Sequence, residues 1–95
     1  KYVTWGNHIA HYKKLYRKIK NNPKDVRFDD LEILLTRVGG FESTPGSGDH
    51  YGFSHPDLPN PITVDSRGKH KPLKPIYVKK ALQAFEELNP DFIAD

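Results

Sequence analysis

The chain contains no cysteine, which removes a disulfide framework, a cysteine-ligated zinc site and a thiol nucleophile together. That absence fits a reducing, cytoplasmic setting. Long hydrophobic runs are missing too, and nothing approaches the ~18–20 consecutive apolar residues that span a membrane. Lys1 is followed by polar and aromatic residues rather than an apolar stretch, so no secretory signal is expected. There is no internal repeat, and no linker long enough to divide domains. Ninety-five residues suit one domain with one small core. A large excess of one charge is also lacking: the net charge is +3, a tilt towards anionic partners that names none.

What is present is a charge pattern. Residues 1–24 carry seven Lys or Arg and no acid, whereas residues 25–65 carry eight acids against Arg27 and Arg37. In residues 66–95 every base falls between Arg67 and Lys80, and every acid follows. Such blocks create local fields that the net charge averages away.

Apolar spacing predicts the elements. Ile9, Tyr12, Tyr16 and Ile19 recur at intervals of three and four, predicting a basic helix over residues 7–21 that Pro23 ends. Leu31, Leu34, Leu35 and Val38 predict a second helix over 28–38, with acids in its first turn and Gly39-Gly40 as its stop. Three short strands are expected at 40–43, 51–55 and 62–64, separated by turn-rich stretches. A last helix is expected over 75–88, with Pro75 at its first position and Asn89-Pro90 as its end. The fold class is therefore α+β, with helices on one face of a three-stranded antiparallel sheet. Residues 1–24 are read as a basic N-terminal extension and 25–95 as the globular unit.

Several residues could carry chemistry. The loop Pro45-Gly46-Ser47-Gly48-Asp49-His50 combines glycines that allow close backbone approach with a histidine, which exchanges protons near neutral pH. Arg67, Lys69, His70, Lys71 and Lys74 precede the last helix, and Lys79 and Lys80 are expected in its first turn or so, where its dipole is already positive. Glu86 and Glu87 lie near its negative end. This arrangement opposes the dipole at both ends, and an anion held at the N-terminus would offset it. The pattern matches a surface that contacts a phosphate backbone. His8 and His11, three apart, read as exposed polar positions, and no metal site is expected.

These residues, in this order, resemble the HicA family of toxins from bacterial toxin–antitoxin systems. The likeness runs from about Phe28 to Leu88. It rests on Phe28-Asp29-Asp30-Leu31-Glu32-Ile33-Leu34-Leu35 with Gly40-Phe41, on Gly48-Asp49-His50-Tyr51-Gly52-Phe53-Ser54-His55-Pro56, on Ile62-Thr63-Val64 and on the Lys-rich lead-in to the last helix. The resemblance implies a fold like the double-stranded RNA-binding domain, α-β-β-β-α, carrying an extra N-terminal helix. It implies a metal-independent endoribonuclease, needing no cofactor, that cleaves single-stranded messenger RNA. It puts the family's catalytic histidine on His50 and implies a HicB-type antitoxin as partner. The RNA-contacting set expected here is Ser47, Gly48, Arg67, Lys69, His70, Lys71, Lys74, Lys79 and Lys80. Two positions depart from the family pattern: Asp49 stands where Ser or Asn is usual, and Gly52 replaces a strand residue. Asp49 either orients His50 or repels the phosphate.

A single histidine does not readily serve both proton transfers, and His55 and His70 are local candidates for the second. Two other readings stay open: a non-catalytic RNA-binding module of the same fold, and a protein-interaction domain using the Leu/Phe surface.

Overall fold

Apolar residues at helical spacing form the helices expected of them. The computed structural model describes residues 2–94, with side chains from Ile9 onward. Helix α1 spans Tyr2–Asn21 and α2 spans Phe28–Arg37. Strands β1 (Glu42–Pro45), β2 (His50–Ser54) and β3 (Ile62–Asp65) follow, then a 3-10 turn at Arg67–Lys69. Helices α3 (Pro75–Leu88) and α4 (Pro90–Ala94) complete the described chain. The sheet is antiparallel in the order β1-β2-β3. The molecule is thus an α+β protein. None of its helices is long and apolar enough, among the described residues, to cross a membrane.

The strand bounds differ from expectation for local reasons. β1 starts two residues later than residue 40, because Gly40 at φ +77 and a Phe41 N–H bond to the Leu35 carbonyl at 3.0 Å belong to the end of α2. β2 starts one residue earlier, since His50 already pairs with Asp65 across the sheet. His55 leaves the strand and turns: its Nδ1 accepts the Asp57 N–H at 3.0 Å. Pro90 does stop α3, and it also opens α4, where a missing N–H is harmless at the first helical position.

Strand alternation divides the sheet into two faces. Phe53, Ile62 and Val64 point to the helices and are buried, while Tyr51 is half-buried on the same side. The Phe28 ring meets Tyr51 at 4.6 Å and Phe53 at 6.0 Å between centroids. α2 packs against β1 and α3 against β3, placing Leu31, Leu34, Leu35, Val78, Ala81 and Phe85 in one core. Burying one such large side chain contributes ~1.5–3 kcal/mol. Helix α1 joins this core as well, since Ile19 is buried in it and Tyr16 meets Phe85 at 5.8 Å. The opposite face of the sheet carries Glu42, Thr44, His50, Gly52, Ser54, Thr63 and Asp65, and no helix packs on it among the described residues.

Candidate functional site

His50 owes its position to a tight turn. Its N–H reaches the Ser47 carbonyl at 3.1 Å, and the Gly46 N–H reaches the His50 carbonyl at 2.8 Å. Gly48, at φ +59, takes the second position of this turn, a conformation that favours glycine. The His50 side chain is exposed on the open face. Its Nδ1 lies 3.2 Å from the Ser47 carbonyl oxygen. A carbonyl can only accept, so this hydrogen bond puts the proton on Nδ1 and leaves Nε2 for proton exchange.

Beside His50 lies an open groove of about 390 Å³, lined by Thr44, Pro45, Gly46, Tyr51, Gly52, Ser54, Pro61 and Thr63. None of these is Lys or Arg. The charged groups on this face and its turn are acids: Glu42 on β1, Asp49 in the turn and Asp65 on β3. Asp65 accepts the Arg67 N–H on Oδ1 at 2.9 Å, and the buried Ser66 donates its N–H to the Asp49 carbonyl at 2.8 Å.

The basic residues lie elsewhere. Arg67, Gly68 and Lys69 have φ of 52, 69 and 64, a left-handed turn closed by the Lys69 N–H on the Ser66 carbonyl at 2.8 Å. Left-handed geometry at non-glycine residues costs ~1–3 kcal/mol each and persists only where the surroundings enforce it. Here they do. Arg67 Nη1 donates to the Pro72 carbonyl at 3.1 Å, Arg27 Nη1 to the His70 carbonyl at 2.7 Å, and the Leu73 N–H to the Val26 carbonyl at 2.8 Å. The turn puts Lys69 Nζ 5.2 Å from the centre of the Phe28 ring and 5.1 Å from that of Tyr51, on the helix side of the sheet. The hydrogen-bonding Tyr51 phenol raises the Lys69 ammonium above the ordinary lysine value, and its charge, with those of Glu32 and Asp29, adds to the effect.

His70, Lys71 and Lys74 are exposed, with Lys74 at the N-cap of α3. Lys79 and Lys80 fall in the second turn of α3 rather than the first, and they line different grooves. Lys79 shares one with Lys20 and Glu86, and Lys80 shares the other with residues 58–62. The expected set is therefore split. Ser47, Gly48 and His50 stand at one end of the sheet, Arg67 and Lys69 are held by the following turn, and the remaining lysines lie along the approach to α3 and on it. His11 is exposed, and the His8 side chain lies outside the described residues. Among the described residues, no three His, Asp or Glu gather as metal ligands.

No protein-family model, curated protein or solved structure matches the chain.

One residue of the His50 face and the partners of Glu86 are not signalled in the sequence. Asp65 shares a sheet face with His50, but strand alternation reveals that only once the register is known. Glu86 accepts hydrogen bonds from Tyr16 Oη at 2.6 Å and Lys20 Nζ at 2.7 Å, both from α1. No spacing within one helix signals that contact.

Proposed function

We propose that the chain is a metal-independent endoribonuclease acting on messenger RNA, with His50 as general acid or base. The observation that carries this reading is the placement of His50, exposed at the start of the central strand with Nδ1 held by a backbone carbonyl. A fixed tautomer with an accessible second nitrogen is what proton transfer requires. The run α2, three antiparallel strands, α3 supports the finer assignment to a fold like the double-stranded RNA-binding domain. Ser47 and Gly48 would approach the backbone beside the scissile phosphate, and the cations from Arg67 to Lys80 would hold flanking phosphates. A toxin of this kind acts in the cytoplasm and is silenced by a HicB-type antitoxin.

The test incubates the purified chain with a long RNA, with and without chelator, beside His50→Ala. Cleavage is expected to resist the chelator, to spare DNA, and to fall by ~10²–10⁴-fold in the variant. An unchanged rate in His50→Ala, or cleavage abolished by chelator, overturns the reading.

One observation favours a second reading, a non-catalytic RNA-binding module: the groove beside His50 has no Lys or Arg in its lining. That reading expects salt-sensitive RNA binding with no cleavage product, and equal affinity for the parent and His50→Ala.

A further inference from the structure

Cleavage of RNA by its own 2′-hydroxyl needs a base for that hydroxyl and an acid for the departing 5′-oxygen. His50 is one group; the sheet register supplies a neighbour for it. His50 on β2 pairs with Asp65 on β3. The His50 carbonyl is turned to β1, where Gly46 donates to it, and the next pair along β2 and β3 is bonded through the Ser66 N–H and the Asp49 carbonyl. His50 and Asp65 therefore form a non-hydrogen-bonded pair, the kind whose side chains come closest, with Cβ atoms ~4.5–5.5 Å apart on one face. That face is open. Asp65 is also fixed in place: its Oδ1 accepts the Arg67 N–H, which leaves the other carboxylate oxygen to take a proton. The strained left-handed turn that begins at Arg67 gains a function on this view, because it delivers that N–H. The other ionisable group on this face is Glu42, with Asp49 in the adjoining turn, while Arg67 directs its guanidinium to the Pro72 carbonyl.

We propose that Asp65 is the general base and His50 the general acid of RNA cleavage, an assignment that rests on the ribonuclease reading above. The Asp65 carboxylate takes the proton of the 2′-hydroxyl as O2′ attacks phosphorus. The P–O5′ bond breaks, and O5′ takes the Nε2 proton of the His50 imidazolium, whose Nδ1 proton stays on the Ser47 carbonyl side. The products are a 2′,3′-cyclic phosphate and a free 5′-hydroxyl. Asp65 ends protonated and His50 neutral, and exchange with water restores both. The register puts the two groups side by side on one open face, where both could reach a single phosphate bound there.

Asp65→Asn tests this, since the amide oxygen can still accept the Arg67 N–H and so preserve the turn. Its unfolding midpoint is expected to match the parent's. Its cleavage rate is expected to fall by ~10²–10⁴-fold, with loss of the acid limb of the pH–rate profile. Asp65→Glu keeps a carboxylate and is expected to keep that limb. Parental cleavage by Asp65→Asn overturns the assignment, as does a slow Asp65→Asn whose profile keeps the parental shape, or loss of the limb in Asp65→Glu. If His50→Ala is inactive and Asp65→Asn is unaffected, only this assignment falls. If the parent cleaves no RNA, or His50→Ala cleaves as fast as the parent, the ribonuclease reading fails and takes the assignment with it.

Discussion

At the scale of single residues, backbone geometry decides more than side-chain chemistry. Gly39 is buried where α2 ends, and a Cβ there would stand 2.8 Å from the Leu35 carbonyl oxygen, 2.9 Å from Phe85 Cδ1 and 3.0 Å from Phe41 Cδ1. A backbone oxygen and two packed rings cannot all move aside. Gly39→Ala is therefore expected to destabilise the fold by ~1–3 kcal/mol, the usual range for overpacking, read as a lower midpoint in urea at an unchanged slope. Lys69 illustrates the opposite case, a charged residue whose surroundings fix its role. Because the folded state raises its ammonium above the ordinary lysine value, the stabilisation is fully present below that value and is lost only as pH rises through the raised one. Near neutral pH the cation over Phe28 and Tyr51 is thus permanent. A lysine that looked in sequence like an RNA contact has a structural task as well.

At the scale of elements, α1 accounts for a charge arrangement that α3 alone leaves unexplained. Glu86 lies near the negative end of α3, against the helix dipole. Its carboxylate is met by Lys20 and by the Tyr16 hydroxyl, both from α1, and the Lys13 ammonium donates to the Phe92 carbonyl of α4 at 2.7 Å. Burial, with the hydrogen bond and charge of Glu86 behind it, pushes the Tyr16 phenol up to about 12. Burial alone would push the Glu86 carboxyl up, but the hydrogen bonds from Lys20 and Tyr16 outweigh it and hold Glu86 below its usual value. A depressed carboxyl stabilises above its unfolded value, ~4.3, and loses that contribution as pH falls through the folded one. Glu86→Gln should therefore lower stability by roughly 1 kcal/mol at pH 7, and the gap to the parent should close as pH drops below ~4. Thermal unfolding of both proteins from pH 7 to pH 3 checks this, and a gap independent of pH contradicts it. The basic block of residues 1–24 is thus partly a docking device, with Lys18 also paired to Asp30 at 3.1 Å.

At the scale of the whole molecule, the charge blocks of the sequence become surfaces. The acids of the middle block that reach the open sheet face are Glu42 and Asp65, with Asp49 in the adjoining turn, while the exposed lysines lie along the approach to α3 and on it. If those lysines hold RNA, replacing Lys71, Lys74, Lys79 and Lys80 with Ala should weaken binding. It should also flatten the dependence of log K on log salt, by ~0.7 for each single-strand phosphate that is no longer neutralised. Titrations at several salt concentrations measure the slope, and an unchanged slope removes these residues from the interface. The sequence by itself determined the first three helices, the number and order of the strands, and the α+β class, because helical spacing and Pro or Gly punctuation act within a few residues; it did not show α4, which Pro90 opens. The place of His50 at the junction of a turn and a strand was legible for the same reason. Only the tertiary structure decided that β1 begins at Glu42, that Asp65 stands beside His50, that Lys79 and Lys80 line separate grooves, and that α1 neutralises Glu86. Each of these depends on register or on contact between residues distant in the chain. Such contacts depend on the packing of the whole core, which no local window of sequence contains.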